Sequence, residues 1–536
     1  MIFSMKPKNF GGGSIVAGTA VLALHLAAAA VYAQPWVPPT GVPMPAFGVR
    51  ESAPVAPNPW TSETRGFYYV DNTHPAATDA ATFGTPGRPR RSIPTGVDPG
   101  SVVEVHGGPY VTSNNLSGGG NGTAAAPIFY KGVGRPIVQS TVDHRNFGVW
   151  GAYTIIEGFT FVNLQVALVG HHVAVRDTEI RGMTPAPGGR AVYTGNTTDV
   201  VILRNSIHHN GNNNYPVEND IHGVLVGPAA QRVWVVDNEM YANGGSSIQV
   251  NSNANLQSLA RLIYIARNRM HEEGETGIAI KSGEDVIISQ NELWGFRPTN
   301  YPHSGSDGTA ILIDDQNAWN GLNNRMWILF NYVHNSTVGI RTQSYAAVIG
   351  NIVRDVQNAG VLTYGSHDVL VEHNTFYNVC RGLERFGGDV GFKAIFVNNI
   401  IGPRTCDDVS ITGNSVTTSV LSTSLFNSPA KIRLGTWFTP LSSFMVGHAC
   451  VGCREGDARF VDAARYNFRL AAGSPAIATA TPTAAYSTFQ SIYGVNIQVD
   501  FAGRTRPGLD GKWDMGALET DGIGAPAPPT NVRIIK

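Results

Sequence analysis

Residues 274–295 read GETGIAIKSGEDVIISQNELWG and hold two short alternating segments separated by a turn. GIAI ends on Lys281, and DVIIS runs into Asn291. Apolar–polar alternation marks a strand, because successive strand side chains point to opposite faces. Outward from this stretch the same pair recurs. Apolar segments running into a turn occupy 153–159, 172–180, 199–207, 232–240, 262–270, 285–293, 325–333, 346–353, 368–376 and 393–401. The turn residue is Asn at 205, 238, 268, 291, 331, 351 and 374. Between them lie HGVLV (222–226), SSIQV (246–250), TGIAI (276–280), TAILI (309–313), VGIRT (338–342), AGVLT (359–363) and RGLER (381–385).

The repeat is mostly about 20–30 residues long, which is the period of a solenoid. Propeller blades need about 40 residues or more. Leucine-rich repeats carry one strand and often a helix, whereas these repeats carry at least two strands with β-branched cores and no helical period. A coil of strands stacks equivalent residues, and Asn suits the turn because it tolerates left-handed backbone and can ladder onto the Asn above. Such a coil has exposed edges only at its ends, which need caps. The expected fold is all-β, a parallel β-helix with an N-terminal cap and a C-terminal closing segment.

On these motifs the chain resembles the right-handed parallel β-helix, or pectate-lyase-like, superfamily over residues 67–520. DARFVDAARYNFRLAAGSPAI (457–477) and VDFAGRTRPGLDGKWDMGALE (499–519) look like the closing segment of secreted members.

The 536 residues carry 38 basic and 39 acidic side chains, a net charge of −1, which leaves no general electrostatic case for nucleic acid. Only 14% of residues are charged and 61 are Gly, a composition that favours turns and strands over long helices. Lys6 and Lys8, the apolar run from Ile15 to Val31 and the small-residue site before Gln34 read as a signal peptide over 1–33. The expectation is a secreted or periplasmic protein, free of the membrane after cleavage and monomeric. Residues 34–65 are rich in Pro and Ala and read as a spacer. The β-helix is expected over 66–405, its C-terminal completion and cap over 406–520, and a tail over 521–536. An exported chain keeps disulfides. Cys380–Cys406 and Cys450–Cys453 are therefore favoured over a zinc site built on CVGC and His448.

Stacking aligns the repeats without any homologue. With Gly223, Ser247, Gly277, Ala310, Gly339, Gly360 and Gly382 in one row, the next residue of each points inward and the one after it outward. The outward rows are Leu225, Gln249, Ala279, Leu312, Arg341, Leu362, Glu384, and Gly227, Asn251, Lys281, Asp314, Gln343, Tyr364, Phe386. Asn251, Lys281 and Asp314 thus fall on successive rungs, about 4.8 Å apart. Glu273 and Glu275 lie in the turn before Lys281, and Asp315 follows Asp314. Long inserted segments flank these rungs, and loops on a rigid scaffold carry function. A further row, His208, Tyr241, His271, Trp294, His334, Arg354 and Tyr377, reads either as a sugar-binding surface or as a structural stack.

Lys281 also has two readings. It is one half of an ion pair with Asp314 or Glu275, or a base whose proton affinity is lowered by Arg341 in a partly enclosed groove. MHEEGETGIAIKSGEDVIISQN (270–291) resembles the lysine-bearing rung of the chondroitinase B and alginate lyase family. That resemblance implies Ca²⁺ held by Asn251, Glu273 and Glu275, with Lys281 as base. The family carries an Arg on the next rung, where this chain has Asp314; the nearest is Arg341. The first functional reading is therefore a polysaccharide lyase cleaving a uronic-acid polymer by β-elimination, with Lys281, Arg341 and Asp314 in the catalytic group. Gln249, Gln343, Trp294 and His271 would hold the sugar. The second is a glycoside hydrolase using Asp314 with Asp315, Glu275 or Asp220. The third is a non-catalytic polysaccharide-binding surface protein.

Overall fold

The computed structural model describes residues 35–61, 64–183, 189–213, 219–250, 259–298, 306–314, 323–364, 367–387 and 392–520. The expected signal peptide and tail lie outside them. Among the described residues, 39 strands join one hydrogen-bonded sheet, paired in parallel except for one hairpin at 432–438. This is a parallel β-helix. No helix among the described residues is long and apolar enough to cross a membrane.

Most turns of the coil contribute three strands, as in Ile278–Ile280, Glu284–Ser289 and Glu292–Trp294, and in Ile352–Tyr364 and Thr375–Phe386 the third and first of these run on as one. They define a first, second and third face. The third face is the part the two-strand repeat missed: its strands are mostly three residues long, too short to show an alternation. On the first face the expected register holds. Val224, Ile248, Ile278, Ile311, Ile340, Val361 and Leu383 pair rung to rung and are fully buried.

Between the second and third faces the Asn side chains form a buried ladder. Asn268 Oδ1 accepts the Asn238 backbone N–H (3.0 Å) and its Nδ2–H (2.9 Å), and the pattern repeats through Asn291, Asn331, Asn351, Asn374 and Asn399. The left-handed residue is not the Asn. It is the residue before it: Arg204, Asp237, Arg267, Gln290, Phe330, His373 and Asn398 all have φ between 51° and 59°. Non-glycine residues enter this region at a cost of about 1–2 kcal/mol, offset here by the ladder that the corner allows.

The 34–65 stretch is not a loose spacer where it is described. Val42, Phe47 and Val49 are buried. Trp234 Nε1 donates to Pro43 O (2.9 Å), Ser289 Oγ to Thr40 O (2.6 Å), and Arg176 to the carbonyls of Gly48 and Glu51. A Cβ on Gly48 (φ 94°) would come within 2.8 Å of Ala174 Cβ. The reason is on the second face, whose outward side chains, Ala174, Val201, Trp234, Tyr264, Ile287 and Trp327, are apolar and need cover. Burying one such large side chain is worth roughly 1.5–3 kcal/mol. Residues 37–51 cover its first part, and the helix Ala485–Tyr493 covers the next, with Phe489 edge-on to Trp327 (4.9 Å).

The C-terminal segment first continues the coil and then turns back on it. Strands continue to Arg454–Glu455, and the following chain returns along the flank, where Thr481 N–H reaches Asn398 and Ala517 N–H reaches Thr375. Cys380–Cys406 and Cys450–Cys453 are both disulfide-bonded. Their sulfurs are unavailable to a metal, and His448 stacks on Phe444 (4.9 Å).

Candidate functional site

The first face carries the expected row. Lys281, Asp314 and Gln343 continue the strands of successive rungs, each backbone N–H donating to the rung before. Lys281 Nζ lies 3.1 Å from Asp314 Oδ2. Asp314 is buried, with 7% of its side chain exposed against 24% for Lys281. Asn323 Nδ2 donates to the Asp314 carbonyl and holds the strand end in place. Asn251 and Asp315 lie outside the described residues.

Beside this pair stands a cluster whose central member the sequence did not single out. Asp220, His222 and Glu275 bring one nitrogen or oxygen each to within 4.8 Å of one another. The Ser246 backbone N–H donates to His222 Nδ1 (3.0 Å), so the ring proton sits on Nε2 and points at Asp220 Oδ1 (3.2 Å). Glu275 Oε2 accepts from Ser246 Oγ (3.0 Å) and lies 3.9 Å from His222 Nδ1. Burial drives the His222 value down to about 3, helped by the charges of Lys281 and Arg190. Burial raises the Asp220 carboxyl, and Lys281 pulls it part of the way back. The signal available in the sequence was Asp-x-His closing a long insertion ahead of a strand.

His222 makes a pH prediction. Its folded value, about 3, lies below its ordinary 6.5. Between these values the unfolded chain binds the proton and the folded chain does not, so stability falls as pH drops through this window. In His222→Gln the acid slope of thermal or denaturant stability should flatten by up to one proton, about 1.4 kcal/mol per pH unit. An unchanged slope would contradict a neutral buried imidazole. Glu273 works in the opposite sense: burial raises it to about 8, so its contribution is lost as pH rises towards 8. The comparison between variant and parent isolates His222.

Glu273 does not fit the calcium role. Its carboxylate accepts the Asn243 N–H (2.5 Å), Asn243 Nδ2–H (3.0 Å) and Ser247 Oγ–H (2.7 Å). It closes a second ladder that runs Asn210, Asn243, Glu273 at the turn between the third and first faces. Of the expected oxygen set only Glu275 remains among the described residues, and its neighbour His222 offers nitrogen, which hard Ca²⁺ does not take. The described donors do not make a calcium cage, and no step is assigned to one.

Arg341 does not crowd Lys281. It is one rung past Asp314, with Nη1 2.7 Å from Asp307 Oδ2 and its guanidinium 5.1 Å over the Tyr364 ring. Asp307 closes an insertion that the sequence reading left unpaired. Gln249 sits in register between Leu225 and Ala279 and is partly exposed on the first face, as is Gln343 beyond Asp314. At the other end Arg190 lies 4.6 Å over Tyr193. Trp294 and His271 are elsewhere. They belong to the third face, in a column His208, Tyr241, His271, Trp294, His334 with centroids 4.2–5.6 Å apart and planes within 10°. Their ring faces are covered by one another, which leaves edges rather than platforms for a sugar. The substrate-binding assignment of these two residues is corrected to a structural stack.

No protein-family model and no curated protein matches the sequence. Among solved structures the chain is similar to a PL6 family alginate lyase (16% identity, 68% of this chain and 51% of that one, TM-score 0.48). It is also similar to a pectate lyase (14%, 84% and 96%, TM-score 0.40). A third is the catalytic unit of a GH87 α-1,3-glucanase from Streptomyces thermodiastaticus (14%, 67% and 66%, TM-score 0.44). The chain thus spans about half the length of the alginate lyase and about two thirds of the glucanase unit.

Proposed function

We propose that the first face binds and cleaves a uronic-acid-containing polysaccharide by β-elimination. The observation that carries this reading is the partly exposed Lys281 amine set beside Asp220, a carboxyl that burial biases towards its protonated form. As substrate displaces Lys281 from Asp314, the ammonium leaves one proton on the Asp314 carboxylate and the neutral amine takes the C5 proton. The electron pair forms the C4–C5 double bond as the C4–O bond breaks, and the leaving oxygen takes a proton from Asp220. Asp314 positions Lys281. Arg341 and Arg190 meet uronate carboxylates on either side.

The test is ultraviolet absorbance of the unsaturated product, with alginate, pectate, chondroitin sulfate, hyaluronan and glucuronan offered in turn, with calcium and with a chelator. A rise on one polymer, unaffected by the chelator, is expected. A flat trace on all five from folded protein sinks the reading.

A second reading is favoured by one distance. Asp220 and Glu275 bring carboxyl oxygens within 4.8 Å, near the close spacing of retaining glycoside hydrolases. Asp220 would then be the acid and Glu275 the nucleophile. New reducing ends without an ultraviolet signal identify that chemistry.

A further inference from the structure

The outward row of the first face does not stop at Arg341. Leu362, Glu384, Ser410 and Arg433 continue it, each in register with the one before. Arg433 is therefore six rungs beyond Ala279, about 29 Å along the axis at ordinary strand spacing. There the sheet pairing changes. Ile432–Leu434 folds back through Gly435 (φ 70°) into the antiparallel strand Thr436–Phe438, which sets Trp437 directly opposite Arg433. Directly opposed residues share a face. The Arg433 guanidinium is 5.2 Å and the Lys431 ammonium 5.4 Å from the Trp437 ring centre.

Three properties set this hairpin apart from the rest of the surface. Trp437 is 51% exposed, on a hairpin that needs no indole for its backbone pairing. Arg433 makes no ion pair within contact distance of a carboxylate among the described residues, feeling Glu384 only at longer range, and its Nε is buried without a hydrogen-bond acceptor. The neighbouring acids are engaged elsewhere: Glu384 is buried and paired with Arg381 (3.2 Å), and Asp407 holds both Arg381 (3.3 Å) and Lys431 (3.5 Å). Between the candidate site and the hairpin, Tyr364 and the 40% exposed Phe386 lie 6.1 Å apart in the second outward row. Aromatic surface and one guanidinium outside any ion pair, that of Arg433, thus line the face on the C-terminal side of Lys281.

We propose that Lys431, Arg433 and Trp437 form a distal subsite for an anionic polysaccharide, whose chain lies along the first face from the Lys281 rung. The indole offers a flat apolar surface to a sugar ring. The guanidinium offers a paired donor to a carboxylate or sulfate, which an ammonium matches only as a point charge. The subsite rests on the reading that this face takes such a polymer, and it adds a consequence. Long chains span both points, and short oligosaccharides reach only one, so substrate length controls affinity.

The experiment is affinity electrophoresis of the full mature chain through gels containing alginate, pectate, hyaluronan or neutral dextran. At least one anionic polymer should retard the parent and Lys281→Arg. Arg433→Gln should weaken that retardation about tenfold by removing one charge-assisted contact, and Trp437→Ala about tenfold by removing the apolar surface under the ring. Arg433→Lys should restore part of it, and added salt should weaken it throughout. Thermal unfolding of each variant confirms folding, and Trp437→Phe serves if the Ala variant fails to fold. Retardation equal to the parent in both variants overturns the proposal. So does no retardation by any anionic polymer, or retardation by dextran with the same loss. Cleavage is read separately on the same polymers. Retardation that depends on the hairpin, without unsaturated ends, leaves the subsite standing and removes the β-elimination reading. Unsaturated ends with hairpin-independent retardation do the reverse.

Discussion

Lys281→Arg should abolish cleavage while leaving the protein folded. The substitution keeps a cation beside Asp314, whose carboxylate is buried and would otherwise be left unpaired. It removes the function of a base, because a guanidinium does not give up its proton in a protein. Loss of a positioned general base costs about 10²–10⁴-fold in kcat. Lys281→Ala should lose as much activity and some stability as well, because Asp314 then keeps its charge without a partner. The pair of variants separates the two readings of this residue. If the lysine serves only as a rung-to-rung ion pair, Lys281→Arg retains full activity, and the base assignment fails. The measurement is the initial rate of ultraviolet absorbance on the responsive polymer, with the unfolding midpoint of each variant beside it.

The second large effect is on stability. Asn268→Ala should cost roughly 3–5 kcal/mol, because it breaks the ladder in its middle. Its Oδ1 serves two donors of Asn238, and its Nδ2 serves Val235 O (2.7 Å) and Asn291 Oδ1 (3.0 Å). Asn268 is fully buried, so no water replaces these contacts. The orphaned Asn238 backbone N–H carries the largest share of the penalty, since Asn238 Nδ2 keeps the carbonyls of Ile202 and Val236. Denaturant unfolding measures it, and a loss below about 1 kcal/mol would show that the ladder follows from the coil rather than holding it. In a coil whose rungs touch mainly their neighbours, the break should also loosen amide protection locally around residues 238–291 before the ends.

Several elements are legible in the sequence alone. The alternation in TGIAI and its relatives placed the inward row, because only one phase of a strand buries its branched side chains. The same phase put Lys281 next to Asp314. The Asn positions marked the ladder, although the left-handed residue proved to be the one before each Asn. Sequence periodicity has no way to see that shift, since residues as different as Arg204, Phe330 and His373 occupy the corner. The Pro-rich stretch at 37–51 was opaque for a related reason. Its composition describes an extended chain, and only the apolar outer row of the second face explains why that chain lies down.

At the candidate site the division is similar. Lys281, Asp314, Gln249, Gln343 and Arg341 stand where the row alignment expects them, since in-register stacking turns sequence order into axial position. Their partners were not readable. Asp307, from an insertion, takes Arg341, and His222 with Asp220 comes to lie near Glu275 across two rungs. Trp294 and His271 turned to a face of their own, because a third strand lies between the Asn ladder and the next turn.

The sequence by itself determined the coil, its register and the axial order of its outward groups, because all three follow from a local period repeated many times. Only the tertiary structure decided which face a ring or carboxylate belongs to and what neutralises each charge. Those depend on how sharply each corner turns and where the insertions fold, and neither leaves a period to read. Glu273 shows this best: two residues from Glu275 in the chain, it faces a buried ladder of amides, while Glu275 faces the histidine.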